Sequence, residues 1–285
     1  MQQISLIPHN SYRIASHATS LVLPKSREDV SRICLSGCED LQVIGQGNNL
    51  ILSRNSYGPE VVFICMSLYR DTFRVISPSS FFVPAGMSLR ELCLIASERG
   101  LQGIERLWDI PSSIGGAIAM NAGAYGQDFN SIIEYVDIYD LRAKRFQRLD
   151  ARELEASYRR TRFSSCKFEL VLGACVKLQP HSPQALKREM REIGLVRRRR
   201  FPYETPNAGS IFKRPLNGDA ASKMLDDCDL KGHSIGGASL STKHAGFCVT
   251  NSVATGDDIL KLVDLCKSRI KNEYGVLLEL EQIIV

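Results

Sequence analysis

The chain has 285 residues, of which 44% are hydrophobic and 24% are charged, and its formal net charge at pH 7 is +5. This composition is typical of a globular protein with enough apolar residues for one large domain or two to three small ones. The charge suits a ligand with several phosphates. Without a concentrated basic patch it gives no indication of nucleic-acid binding.

The nine cysteines show no C-x-x-C pair and no metal-ligand spacing. They therefore predict reduced thiols in a cytosolic protein with no bound metal. No run of 18 apolar residues occurs, and residues 1–13 lack the basic segment and apolar core of a signal peptide. We expect a cytoplasmic protein that neither spans nor binds a membrane.

Helix caps and hydrophobic periodicity predict an α+β protein. The predicted helices, in chain order, are one that opens at residues 24–30 with Ser26 as N-cap, then 88–100, a short one at 150–156, 182–200, and a last one that begins after Thr255 and ends at Gly275. The predicted strands are residues 60–66, 81–84, 132–141, 145–149, 167–178 and 276–285. Residues 201–225 have the composition of a loop.

Residues 110–126 contain four glycines, several alanines and serines, and no charge. Glycine adopts positive φ without strain, and small side chains let the backbone approach a bulky group closely. Free N–H groups in such a turn, together with the positive end of a short helix that begins at Gly115, form an anion-binding site. The stretch therefore predicts a phosphate or pyrophosphate site, and the alternative is a tightly packed turn before a small-residue helix.

A second glycine-rich turn, Gly45-Gln46-Gly47-Asn48-Asn49-Leu50, follows a further plausible strand and precedes the apolar Ile51 and Leu52, which indicates a turn between two strands. This arrangement differs from the dinucleotide fingerprint G-x-G-x-x-G, which requires a helix directly after the glycines. Two phosphate-type loops without that fingerprint indicate a dinucleotide held by a different fold.

Three further stretches contain candidate catalytic groups. In the predicted last strand, period 2 places Glu279 and Glu281 on one face, which is either solvated or, beneath a cavity, carries a desolvated carboxylate suited to proton transfer. Ser210 follows a glycine, so it is either a turn residue or a hydroxyl that donates a proton beside a cation and an acid. Arg159 either lies in a solvated loop or stabilises developing negative charge.

The run Arg197-Arg198-Arg199-Arg200 ends the helix predicted at residues 182–200. Cations at a helix C-terminus interact favourably with the negative end of the helix dipole, so this run needs no functional explanation. The sequence leaves two functional alternatives open. The run either binds nucleic acid or acts as a localisation signal, or one or two of its arginines contact the diphosphate of a ligand.

Six motifs, in the same order along the chain, resemble those of the UDP-N-acetylenolpyruvoylglucosamine reductase family. They are residues 45–50, 103–117 with its continuation to 126, 158–163, 206–213, 241–247 and 275–281. The segment 206–213, with the pattern P-N-A-G-S-x-F-K, matches the family motif without a change. The resemblance covers the chain from about Leu41 to its last residue.

The resemblance implies an FAD-binding fold of the vanillyl-alcohol-oxidase/PCMH type with a C-terminal substrate-binding α+β domain. It also implies that NADPH reduces FAD, and that hydride then passes to the vinyl carbon of UDP-N-acetylglucosamine enolpyruvate, a peptidoglycan precursor. Protonation of the neighbouring carbon gives UDP-N-acetylmuramate. Ser210 is then the proton donor, while Arg159 and Glu281 polarise the substrate carboxylate and stabilise the enol-like intermediate.

The same resemblance assigns FAD contacts to Gly45, Gly47, Asn48, Asn49, Leu50, Pro111, Ser112, Ser113, Ile114, Gly115, Gly116, Asn121, Gly123 and Ala124, and substrate contacts to Tyr158, Arg198, Asn207 and Lys213. It divides the chain into residues 1–59 with 272–285, residues 60–199, and a substrate-binding domain at 200–271. We expect a monomer with small-molecule partners and no nucleic acid. The alternatives are another flavoprotein of this fold and a non-catalytic nucleotide- or nucleic-acid-binding protein.

The chain departs from the family pattern at several positions. They are Ala15-Ser16 in place of I-G-G, Asn48 and Thr161 in place of serine, Ser112 in place of glycine, Phe201 in place of glutamine, and Arg214 in place of asparagine. Asn48 and Ser112 keep short hydrogen-bonding side chains, so FAD binding is expected. Arg214 is expected to alter contacts with the substrate, and none of the departures changes a predicted catalytic residue.

Overall fold

The computed structural model describes residues 3–216 and 219–285, and it divides into two compact units. Unit 1 comprises the chain up to Thr19, Gly47–Pro59 and Arg197–Val285, and unit 2 comprises Ser20–Gln46 and Glu60–Val196. Residues 20–46 therefore belong to the same unit as residues 60–196. The three-part division of the sequence analysis stays a prediction.

Unit 2 is built around an antiparallel sheet. Its strands, in spatial order, are Arg145–Asp150, Ile133–Asp140, Glu169–Lys177, Ser80–Pro84 and Arg74–Ser77. A parallel sheet has the order Leu21–Val22, Val61–Cys65 and Asp40–Ile44, and shorter pairs join Leu101–Gln102 to Gln179–Pro180 and Gly123–Ala124 to Gln127–Asp128. The helices are Arg27–Ser31, Leu89–Glu98, Ile114–Ala119 and most of Pro183–Arg200.

Alternate side chains of these strands and one face of each helix fill a single core in unit 2. Its fully buried members include Phe81, Val83, Leu92, Ile118, Val136, Ile138 and Leu172. The burial of this apolar surface is the main term that stabilises the unit.

Unit 1 contains shorter sheets and two helices, Ala221–Asp227 and Gly256–Tyr274. The strands are Ile4–Ser5 with His17–Ala18 and Ser56–Tyr57, then Ser234–Ile235 with Ala238–Leu240 and Cys248–Thr250, and Leu50–Ile51 with Ile283–Ile284. The last pair is parallel and joins the end of the chain to residues near its start. Its core includes Ile211, Leu225, Leu240, Ile259, Leu262 and Ile270.

The caps predicted at Ser26, Thr255 and Gly275 are present. The hydroxyls of Ser26 and Ser88 accept backbone N–H bonds at the starts of their helices. Thr255 and Asp258 form a reciprocal capping box, and Gly275, at φ +66°, ends the same helix in the left-handed conformation. Among residues 3–216 and 219–285, no helix has both the length and the apolar character needed to cross a membrane.

Three secondary-structure predictions are wrong in part. Within residues 276–285 only Ile283–Ile284 forms a strand, because residues 279–281 bind the isolated extended segment 211–213 instead of a sheet. The short helix predicted at 150–156 is a 3₁₀ turn, Ala151–Leu154. The segment predicted as loop after Phe201 contains the start of a helix, Ala221–Asp227.

Candidate active site

The two glycine-rich stretches meet inside unit 2. A Cβ atom added to Gly45 would lie 2.5 Å from Ser113 Oγ and 4.0 Å from the amide nitrogen of Gly116. Gly45 directly follows a strand, and Gly116 lies in the first turn of the helix Ile114–Ala119. The lack of a side chain at position 45 therefore lets the strand end approach the helix start, and both glycines remain partly exposed.

The first N–H groups of this helix have acceptors inside the protein. Ile114 N donates to Met87 O at 2.8 Å, and Gly115 N donates to Ala85 O at 2.9 Å. The next amide, that of Gly116, donates to the hydroxyl of the capping serine at 3.2 Å. The prediction of free N–H groups at Gly115 is therefore wrong, because these groups attach the helix to the neighbouring segment.

The second half of the first glycine-rich loop belongs to unit 1. Gly47 has φ +72°, and a Cβ atom there would lie 2.0 Å from His9 O, so only glycine fits. Asn49 Nδ2 donates to Glu281 O at 3.1 Å, and Ile283 N donates to Asn49 O at 2.9 Å. These bonds place a predicted FAD-binding residue next to a predicted catalytic residue.

Ser210 and Glu281 lie on adjacent extended segments of unit 1. Glu281 N donates to Ile211 O at 2.8 Å, and Ser210 makes an antiparallel bridge to Phe247 on its other side. Ser210 is exposed and follows Gly209, which has φ +80°. The backbone of the predicted proton donor is thus fixed while its hydroxyl stays accessible.

Arg159 lies at the tip of a tight turn in unit 2 and has φ +56°. The turn is closed by hydrogen bonds between Ser157 and Arg160. Its guanidinium donates to Asn121 O at 3.3 Å and to Gly123 O at 2.6 Å, which holds the cation against the small-residue stretch. The grouping of Arg159 with Ser210 and Glu281 stays a prediction.

Asn121 also bonds to the turn that carries Arg159. Its Nδ2 donates to Ser157 O at 3.0 Å, and its Oδ1 accepts from Asn130 N at 3.2 Å. Thr161, which replaces the family's serine, donates through Oγ1 to Ala119 O at 2.8 Å. The replacement therefore keeps a buried hydroxyl that connects the turn to the small-residue helix.

The residues predicted to contact the substrate have different surroundings. Asn207 Nδ2 donates to the carbonyls of Pro202 and Thr205, so its amide shapes the loop before Ser210. Lys213 forms an ion pair with Glu279. The remaining two, Arg198 and Tyr158, are exposed. Their substrate contacts stay predictions.

An aromatic cluster beside Ser210 was not found by sequence reasoning. The ring of Phe201 stacks on Phe247 with centroids 4.9 Å apart, and His244 meets both rings edge-on at 5.2 and 5.1 Å. Burial, followed by the charge of Arg200, lowers the pKa of His244, so its imidazole is neutral at pH 7. The only sequence signal was the replacement of the family's glutamine by Phe201.

Known families match both halves of the chain. Residues 18–144 match the model of an FAD binding domain, and residues 201–285 match that of the UDP-N-acetylenolpyruvoylglucosamine reductase C-terminal domain. Together with the fold and the site, these matches define a flavin-dependent oxidoreductase with a vanillyl-alcohol-oxidase/PCMH-type FAD-binding fold and a C-terminal substrate-binding α+β domain. The chain belongs to the UDP-N-acetylenolpyruvoylglucosamine reductase family.

Relatives of full length support this assignment. The reductase of Francisella tularensis is 34% identical over 284 residues, which cover 100% of this chain and 99% of the relative. The reductase of Thermotoga maritima is 34% identical over 275 residues, with coverages of 96% and 94%. The crystal structure of the reductase from Thermus caldophilus superposes with a TM-score of 0.82 at 28% identity, and the match covers 99% of this chain and 98% of that one.

Proposed function

We propose that the protein reduces UDP-N-acetylglucosamine enolpyruvate to UDP-N-acetylmuramate with NADPH, in the synthesis of peptidoglycan precursors. Bound FAD supplies the hydride-transfer chemistry, and the protein supplies position and electrostatics. The observation that supports the proposal is the close approach of Gly45 to Ser113. A Cβ atom at position 45 would fill the space between the two glycine-rich stretches.

The residues proposed for FAD suit its pyrophosphate. They are Gly45, Gly47, Asn48, Asn49, Leu50, Pro111, Ser112, Ser113, Ile114, Gly115, Gly116, Asn121, Gly123 and Ala124. None of these side chains is charged, so none repels a diphosphate, and the short polar ones supply hydrogen-bond donors. The small side chains leave backbone surface accessible to a bulky cofactor.

Three residues would carry the substrate chemistry. Ser210 donates its hydroxyl proton to the carbon next to the one that has accepted hydride. Arg159, a permanent cation with a fixed planar guanidinium, acts together with Glu281 to polarise the substrate carboxylate and stabilise the enol-like intermediate. Tyr158, Arg198, Asn207 and Lys213 bind the rest of the nucleotide substrate. We further propose that the protein acts as a cytoplasmic monomer with small-molecule partners only.

The test separates the two half-reactions of the purified protein loaded with FAD. We expect NADPH to bleach the flavin absorption under anaerobic conditions and the enolpyruvyl nucleotide to restore it. Ser210→Ala should leave the bleaching rate unchanged and slow the recovery by roughly 10²- to 10⁴-fold, the usual contribution of a general acid. Ser234→Ala, an exposed serine in the same unit, is the matched control and should change neither rate.

Either of two results would contradict the proposal. Failure of the purified protein to take up FAD would exclude the reductase activity itself. A Ser210→Ala variant in which both half-reactions keep the wild-type rates excludes only the assignment of the proton donor.

A further inference from the structure

A buried amide side chain joins three segments of unit 1. Gln282 is 4% exposed, and its Nε2 donates to Ala208 O at 3.0 Å and to Gly209 O at 3.4 Å. Its Oε1 accepts from the hydroxyl of Tyr12 at 2.8 Å. The side chain therefore connects the terminal segment, the loop before Ser210 and the start of the chain.

The hydrogen-bonding groups of this side chain have one consistent orientation. Tyr12 is 1% exposed, and its own carbonyl accepts from Thr250 Oγ1 at 2.7 Å, which fixes its position. Burial raises the pKa of Tyr12 well above its ordinary value, so its hydroxyl stays protonated and donates. Gln282 must then present its oxygen to Tyr12 and its NH₂ group to the two carbonyls.

The position of this pair in the chain relates it to the proposed catalytic groups. Ala208 and Gly209 directly precede Ser210, and Gln282 directly follows Glu281. Gly209 has φ +80°. Because glycine adopts positive and negative φ about equally well, contacts from other residues are needed to hold this one conformation. Gln282 thus connects the two backbone segments that carry these groups, and it acts together with Asn207, whose Oδ1 accepts from Gly209 N at 3.1 Å.

We propose that Gln282 and Tyr12 are positioning residues that hold the turn at 208–209 so that Ser210 delivers its proton to the correct carbon. This inference rests on the proposed function. In the step itself the O–H bond of Ser210 breaks and a C–H bond of the product forms, while Gln282 and Tyr12 keep their protons. Neither residue touches the reacting atoms.

The first test is Gln282→Leu, which removes the side-chain donor to the carbonyls of Ala208 and Gly209 and the amide acceptor of the Tyr12 hydroxyl. We expect the oxidation of the reduced flavin by the enolpyruvyl nucleotide to slow at least about tenfold, since a displacement of about 1 Å can cost roughly 10²-fold. Proton transfer then limits the rate, so its solvent deuterium isotope effect should rise. The reduction by NADPH, which does not use Ser210, should keep its rate within about twofold.

Tyr12→Phe is the milder variant and should slow the same half-reaction about threefold, because it removes only one bond of the network. Its matched control is Tyr57→Phe. Tyr57 is also buried in unit 1, and its hydroxyl donates to the terminal segment, at Val285 O, over 2.6 Å. The control should lower the unfolding temperature without changing the isotope effect.

Gln282→Glu tests the geometry by rescue. A neutral glutamic acid has one O–H donor and one acceptor, so it can replace the amide, whereas the carboxylate repels the two carbonyls. The oxidative half-reaction should therefore approach the wild-type rate at low pH and fall as the pH rises through the pKa of the new side chain, which burial raises above about 4.3. The buried Cys248 and Tyr12 stay neutral in this range, because burial raises the pKa of Cys248 to about 12 and that of Tyr12 well above its ordinary value. The pH profile of the wild type, which carries the same Glu281, is the reference for the variant.

The outcomes distinguish this inference from the proposed function. If the wild type oxidises NADPH with the nucleotide and Ser210→Ala is slow, but Gln282→Leu keeps the wild-type rate and isotope effect, the positioning role is wrong and the reductase stands. If Gln282→Leu slows both half-reactions equally, its role is merely structural. If the wild type itself lacks the second half-reaction, both proposals are wrong.

Discussion

The role of Gly45 depends on the absence of a side chain at this position. The strand end at Gly45 and the capping hydroxyl of Ser113 approach so closely that a Cβ atom would lie 2.5 Å from Ser113 Oγ. That hydroxyl already accepts the N–H bond of Gly116 at the start of the helix. It therefore cannot rotate away from a new methyl group without giving up the cap.

We expect Gly45→Ala to lower the free energy of unfolding by about 1–2 kcal/mol through overpacking or loss of the cap, and to weaken FAD binding. Urea unfolding of the apoprotein and titration with FAD measure the two effects. In a Ser113→Ala background the obstructing oxygen is absent, so the added cost of Gly45→Ala should be less than half as large. Additive effects of the two substitutions would contradict the steric explanation.

The sequence allowed some of these residues to be predicted and others not. Gly45 and Gly116 lie in glycine-rich motifs, so their small size was visible, whereas their contact across the fold was not. No sequence pattern marked Gln282 as important, because the period-2 alternation of the last residues indicated only Glu279 and Glu281. A buried glutamine is recognised only when its hydrogen-bond partners, distant in sequence, are known.

At the scale of elements, features encoded within a few consecutive residues were predicted well, and features that depend on distant segments were not. The cap of the helix Gly256–Tyr274 is encoded within a few residues, because Thr255 and Asp258 bind each other's backbone N–H groups. The extent of the terminal strand depends on which segments lie beside it, and residues 279–281 bind segment 211–213 rather than a sheet. Hydrophobic alternation alone does not distinguish these two cases.

We expect Thr255→Ala to destabilise the protein by about 1 kcal/mol, because the N–H group of Asp258 loses its acceptor and the capping box is broken. The helix packs Ile259 and Leu262 into the core of unit 1, so the loss appears in global unfolding by urea. Thr255→Ser keeps the hydroxyl and serves as the control. Equal stabilities of the Ala and Ser variants would show that the cap contributes nothing measurable.

For the whole molecule, the fold class followed from the family resemblance, and the family models and relatives confirm it. Composition and periodicity alone established only a globular α+β protein. The assignment of residues 20–46 to unit 2 was not predicted, because it depends on the parallel pairing of Asp40–Ile44 with Val61–Cys65 across the intervening loop. Sequence order gives no information about such a pairing.

The nine cysteines provide a test of the whole structure. Cys34 is exposed, Cys38 and Cys166 are partly exposed, and the other six are buried. Burial raises the pKa of Cys248 and Cys266 to about 12, which suppresses the reactive thiolate at neutral pH. We expect an aromatic disulfide reagent to label Cys34 fastest and the two partly exposed thiols more slowly.

In denaturant the same reagent should label all nine cysteines. Rapid labelling of more than three in the native protein would contradict the described packing. Fewer than nine in denaturant would contradict the prediction of reduced thiols.

The division of the chain into interleaved units has a consequence for its synthesis. Unit 2 is complete once Val196 has left the ribosome, whereas unit 1 also needs Arg197–Val285. Until then Tyr12, Ile14 and Ile51, all buried in the finished core of unit 1, lack most of the core residues against which they pack. The early segments of unit 1 are therefore synthesised long before Arg197–Val285, which lengthens the time for which their apolar side chains are exposed on the nascent chain.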